Sequence, residues 1–305
     1  MTDRLQVSKT YKLFIDGKFP RSESGRTLAV SDSRGRVVAH ICHASRKDLR
    51  DSVTAARNAL TGWRSATAYL RGQILYRMAE MMEGKREELA QALVIGSDTP
   101  AAARREVEAS IDRLIAFAGW ADKYAQVLGC NNAVAGPYYN FTVPEPTGVV
   151  AVVAPDSPGL LGLISMCAPA LCAGNAVVAV AGESHPIAAA VLAEVFATSD
   201  LPGGVLNLLT GTRSELVPVI SGHRDIDAVI AADVGADHAR TLREGAAENV
   251  KRVKIIEWAS AQPRKTARSR PGTASLDWFD DRTCETPWWI EASVEMKTIW
   301  HPSAV

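Results

Sequence analysis

The chain has 305 residues, 47% of them hydrophobic and 22% charged, an ordinary globular composition with room for roughly one to three domains. Its 34 basic residues balance 34 acidic ones, so the excess positive charge through which nucleic acid and anionic membranes are bound is missing. Neither is expected as a partner.

The five cysteines, Cys42, Cys130, Cys167, Cys172 and Cys284, are odd in number and contain no CxxC pair. They read as reduced thiols rather than a disulfide framework. Residues Met1 to Lys9 are polar and carry no apolar signal core. The apolar stretch Val149–Val180 is broken by Pro155, Pro158, Gly159 and Pro169, which suits strands and a helix rather than a membrane span. A cytoplasmic protein without a membrane partner is expected.

From the N-terminus, Lys12–Ile15 before Asp16-Gly17, and Val37–Cys42 after Ser33-Arg34-Gly35, read as short strands bounded by turns. The apolar period then lengthens. Asp48–Leu60, Arg71–Leu93 (Leu75, Met78, Ala79, Met82, Leu89, Leu93) and Val107–Tyr124 (Ile111, Leu114, Ile115, Ala118, Ala121) are predicted amphipathic helices. Tyr138–Val143 alternates aromatic and polar residues ahead of Pro144 and Pro146. It reads as half of an exposed hairpin, open to pairing with another chain.

From Val149 onward strands and helices alternate. The strands are Val149–Val153, Ala176–Val180, Val205–Leu209, Ala228–Ala231 and Lys254–Ile256; the helices are Leu161–Cys172, Pro186–Thr198, Glu215–Ser221 and Ala236–Ala247. Apolar strands alternating with helices predict an α/β fold with a doubly wound parallel sheet. Ala261–Ser275, with Pro263, Pro271, Gly272 and its Lys/Arg residues, reads as a solvated linker. In Val294–Trp300, Val294, Met296, Thr298 and Trp300 share one strand face, and such a strand needs a host sheet. His40-Ile41-Cys42-His43 has metal-type residues, but strand neighbours point to opposite faces, and no metal site is expected.

Several segments resemble the aldehyde dehydrogenase superfamily in order and spacing. They are Phe14-Ile15-Asp16-Gly17-Lys18-Phe19, Pro146-Thr147-Gly148-Val149-Val150, Ala168-Pro169-Ala170-Leu171-Cys172-Ala173-Gly174-Asn175-Ala176-Val177-Val178 and Leu201-Pro202-Gly203-Gly204-Val205-Leu206-Asn207. The resemblance runs from about Tyr11 to Ser260, and Val294–Pro302 resembles the family's C-terminal oligomerisation strand. It implies a Rossmann-like coenzyme domain preceded by an N-terminal helical segment, with a small β oligomerisation element. The expected divisions are 1–137 for the first strands and helices and 138–148 for the hairpin strand. The parallel core follows at 149–260, then a linker at 261–293 in place of the catalytic domain, and the last strand at 294–305.

The resemblance also implies NAD(P)-dependent chemistry, which needs a cysteine nucleophile, an oxyanion-holding asparagine and a glutamate base. The family's Gly-Gln-x-Cys turn is absent. Cys284 is a remnant at best, and the neighbouring Glu285 would raise its pKa. Where a Trp-Asn pair should follow Ala154-Pro155 stand Asp156-Ser157, leaving Ser157 in the oxyanion position. Glu257 is the nearest counterpart of the base, followed by Trp258-Ala259 in place of two glycines.

The cofactor-binding positions that match are Pro155, Val180, Glu183 and Gly235. Val180 replaces the ribose-binding lysine, and Glu183 retains the ribose-binding carboxylate. Asp233-Val234-Gly235-Ala236-Asp237 replaces the phosphate-binding helix start, with Asp233 expected to cap that helix itself. No cofactor is expected, or NAD or NADP only weakly bound. The leading reading is a non-catalytic subunit that forms a homo-oligomer or assembles with a complete aldehyde dehydrogenase. The alternatives are a subunit that binds NAD(P) and relies on a partner's catalytic domain, and a decayed or passive scaffold.

Overall fold

A computed structural model describes residues 8–96, 98–256 and 276–303. At the N-terminus β1 (Lys9–Tyr11), β2 (Thr27–Ser31) and β3 (Val37–Cys42) form a small sheet with β3 in the middle. The strand expected at Lys12–Ile15 is shorter than that: Phe14 instead makes an isolated bridge to Leu208, with N–O distances of 3.0 and 2.8 Å. Asp16 and Gly17 have φ of 55° and 70° and turn the chain so that Ile15 and Lys18 bond each other, the left-handed geometry an Asp-Gly pair favours.

Helix α1 (Arg46–Ser65) starts with a capping box between Ser45 and Asp48. Then come α2 (Ala68–Gly84), α3 (Arg86–Ile95), α4 (Pro100–Trp120) and α5 (Tyr124–Leu128). The single helix expected over Arg71–Leu93 is broken at Lys85. There the backbone leaves helical geometry after Gly84, and the ammonium is held by Glu88 and Glu194 at 3.0 and 2.6 Å.

After β4 (Cys130–Asn132) and β5 (Tyr138–Pro146), the alternating core begins. It runs β6 (Val149–Val153), α6 (Gly159–Cys172), β7 (Ala176–Val180), α7 (Pro186–Ala197), β8 (Leu206–Leu209), α8 (Arg213–Gly222), β9 (Ala228–Ala232), α9 (Ala236–Ala246) and β10 (Arg252–Ile256). The strands are parallel in the order β10-β9-β6-β7-β8. The period of two sends their residues to two cores. Val150, Val152, Val177, Ala179 and Ile230 join α2, α4, α6 and α7, whereas Val149, Val153, Val178, Val180 and Ala231 join α1 and α8. This is the doubly wound α/β arrangement the pattern predicts.

The remaining elements are α10 (Asp281–Cys284), α11 (Trp288–Glu291) and β11 (Val294–Pro302). Residues 261–275 of the expected linker lie outside the described residues. From Leu276 the chain is packed rather than solvated: Trp278 is 1% exposed, its ring lies 5.6 Å from that of Trp289, and Cys284, Ile290 and Val294 join the main core. The buried Arg113 of α4 fastens this segment, donating to the Trp278 carbonyl, Glu285 and Ser165 of α6.

The host sheet that β11 needs is β5, paired antiparallel from Val294↔Pro146 to Pro302↔Tyr138. With β4 on its other side, β5 is the central strand of a β11-β5-β4 sheet. The open edge expected at Tyr138–Val143 is therefore filled by this chain's own strands.

Candidate functional site

In a doubly wound sheet, ligands bind outside the carboxyl ends of the strands, near the point where strand order reverses. Here the reversal lies at β6, with β7 on one side and β9 on the other. The loops after β6, β7, β8 and β9 carry Pro155 to Pro158, Ala181 to His185, Thr210 to Thr212 and Asp233 to Gly235.

Three of these loops are tied into a ring. Arg213, the first residue of α8, donates from Nη2 to the Ala154 carbonyl at 2.6 Å and from Nη1 to Asp156 Oδ2 at 3.0 Å. Asp156 Oδ1 accepts from the Glu183 amide at 2.6 Å. Glu183 Oε1 accepts from the Arg213 amide at 2.8 Å, so it supplies an N-terminal cap for α8, which has no side-chain cap from Thr212. The loops after β6 and β7 also touch directly. A Cβ on Gly182 would lie 2.3 Å from the Pro155 carbonyl oxygen, and one on Gly162 the same distance from the Pro155 ring.

Beside the ring, the amides that open α6 are occupied. Glu106 of α4 accepts from Leu160 N at 2.7 Å and Leu161 N at 3.1 Å. Burial raises the Glu106 pKa, and those two amides oppose the shift. His185 lies between acceptors, with Nδ1 3.1 Å from the Asp156 carbonyl and Nε2 3.3 Å from Asp98 Oδ2.

Of the expected catalytic positions, Ser157 and Cys284 fall among the described residues. Ser157 is exposed, and its bond to Pro158 is cis. Glu257 lies outside the described residues. Cys284 is buried in α10, its thiol donating to the Asp277 carbonyl at 3.3 Å. Burial pushes this thiol up to about 11. Burial is thus the main cause rather than the expected Glu285, whose carboxylate accepts from Arg113 Nε at 3.3 Å. Burial of this kind favours the protonated thiol over the nucleophilic thiolate.

Of the expected cofactor positions, Pro155 is packed against Gly162, and Val180 is fully buried on the α1 and α8 side of the sheet. Glu183 is in the ring. Gly235 is the N-cap of α9, with no side-chain hydrogen bond there. The N-cap position of α9 is Gly235 rather than the expected Asp233, which has φ 51° and whose amide donates to the Ile256 carbonyl of β10 at 3.1 Å. Sequence reasoning missed Arg213, because that stretch reads as loop before a helix starting at Glu215. The Gly-Thr just before Arg213 signals a turn, but nothing local points to Asp156. Among the described residues, no group of three or more His, Cys, Asp or Glu could hold a metal ion.

The family model described as "Aldehyde dehydrogenase family" matches residues 19–258. The chain belongs to the aldehyde dehydrogenase family. It is 33% identical over 261 residues to retinal dehydrogenase 2 of Gallus gallus, covering 83% of this chain and 49% of that one. It is 31% identical over 251 residues to cytosolic aldehyde dehydrogenase 1 of Elephantulus edwardii, covering 80% and 49%. The NAD+ complex of an aldehyde dehydrogenase from Bacillus cereus superimposes with a TM-score of 0.77 at 28% identity, over 82% of this chain and 51% of that one. This aldehyde dehydrogenase family chain thus spans about half the length of those relatives. Among its described residues, no helix is long and apolar enough to cross a membrane.

Proposed function

We propose that this chain is a non-catalytic cytoplasmic subunit of the aldehyde dehydrogenase family, which works by assembling with a second copy of itself or with a complete aldehyde dehydrogenase. The observation that carries the reading is the β11-β5-β4 sheet. It joins the end of the chain to its middle, while Tyr138, Tyr139, Met296 and Trp300 remain exposed on it. Exposed aromatic residues on a sheet whose outer strands, β11 and β4, pair on one side only among the described residues are features of protein–protein contacts. The chemistry supports the same reading, because burial favours the protonated form of the Cys284 thiol over the thiolate that would attack an aldehyde.

Sedimentation velocity of the purified chain, alone and mixed with a full-length homologue, tests it. An oligomer or a mixed complex is expected, and Trp300→Ser together with Tyr139→Ser should dissociate it. A monomer that joins neither itself nor the homologue would overturn the reading. A second reading, a cofactor-binding subunit relying on a partner's catalytic domain, is supported by the likeness to the Bacillus cereus NAD+ complex. Calorimetric titration with NAD and NADP separates the two.

A further inference from the structure

We propose that Arg213 is a built-in latch that ties together the strand-end loops after β6, β7 and β8 and excludes a dinucleotide from this chain. A dinucleotide needs open amides and cationic donors between the strand-end loops. Here the donors at the starts of α6 and α8 serve the chain itself. The guanidinium terminal nitrogens are spent on Ala154 and Asp156, the Glu183 amide on Asp156, and the Arg213 amide on Glu183. The Leu160 and Leu161 amides are spent on Glu106.

The ring closes through the loops after β6, β7 and β8, so no one of those loops can open without breaking a charge-assisted bond. The side chain of Arg213 is 9% exposed, so it is buried among these loops rather than lying over them. Its Nε is buried without a partner, so the latch is held by its two terminal nitrogens and not by the whole fork. The residues present therefore do not fit the cofactor the family implies.

The test titrates NAD and NADP to millimolar concentration into the full chain and into Arg213→Ala and Arg213→Lys, with urea unfolding of each to confirm a cooperative fold. The wild type and Arg213→Lys should give no saturable heat, because a lysine still reaches Asp156. Arg213→Ala should bind at least about tenfold more tightly than the wild type. If Arg213→Ala does not fold, Asp156→Asn, which keeps the side-chain shape and removes the ionic link, is read the same way. Saturable binding by the wild type overturns the proposal, since the crevice would then be open. So does a folded Arg213→Ala that stays silent, since something other than the latch would then exclude the ligand. Sedimentation of the same samples keeps these outcomes separate from the assembly reading, which can stand when the latch falls.

Discussion

Arg113 and Trp278 meet in the interior, where the guanidinium Nη2 of the first donates to the backbone carbonyl of the second at 3.0 Å. Arg113 is 0% exposed, and its other nitrogens reach Ser165 Oγ at 2.5 Å and Glu285 Oε1 at 3.3 Å. One buried cation thereby joins α4, α6 and the segment leading to β11. Burial still raises the Glu285 pKa, against the pull of Arg113, so desolvation outweighs the ion pair at that end.

Truncating either side chain should loosen this segment, although Trp278→Ala keeps the backbone carbonyl that Arg113 bonds. Trp278→Ala deletes a large, buried ring and should cost about 3–5 kcal/mol. Arg113→Met keeps the stem but strands a carbonyl, a hydroxyl and a carboxylate, and should cost about 3 kcal/mol. Urea unfolding measures both. A loss under about 1 kcal/mol in each would mean the segment is not integral to the core.

Thiol reactivity should be confined to one residue. Cys130 is exposed and the other four cysteines are buried. Burial pushes Cys172 up to about 12 and Cys284 up to about 11. Titration of the native protein with a chromogenic disulfide near pH 8 should show one fast thiol, lost in Cys130→Ser, and the rest only after denaturation. A second fast thiol that maps to Cys284 would contradict its burial.

Lys251 should make stability pH-dependent in the alkaline range. Its ammonium donates to the carbonyls of Ile220, Ser221 and His223 at 3.1, 2.8 and 2.7 Å, capping the end of α8. Burial pulls its pKa from 10.5 down to about 8, with Glu248 and Asp227 opposing. Between those values the unfolded chain binds a proton that the native one does not, so this group's contribution rises as pH climbs through the window. It is lost as pH falls through about 8. Urea melts of the wild type and Lys251→Met at several pH values read this as a growing stability difference. A flat difference would mean that the three carbonyls keep the ammonium charged throughout.

Val250 offers a stabilising substitution. It holds φ 58° and is 88% exposed, so a β-branched residue carries left-handed strain with no packing in return. Val250→Gly or Val250→Asn should raise stability by about 1 kcal/mol in thermal or urea unfolding. A loss of stability would show that the valine makes a contact that offsets the strain.

The parallel core was legible in the sequence because its signals are local. Val149–Val153 and Ala176–Val180 coincide with β6 and β7, since short apolar runs bounded by turns leave little choice when both faces are buried. Arg71–Leu93 was less legible, because one apolar stripe continues across the break at Lys85.

What the sequence alone determined is therefore the α/β class and the family. Only the tertiary structure decided where the polar residues go. The Arg213–Asp156 contact spans 57 positions and the Arg113–Trp278 contact spans 165. Periodicity reports which face of its own element a residue occupies. A charge buried between elements is assigned only when those elements are brought together, because its partner is set by distance in space and by the need to satisfy every polar group withdrawn from water.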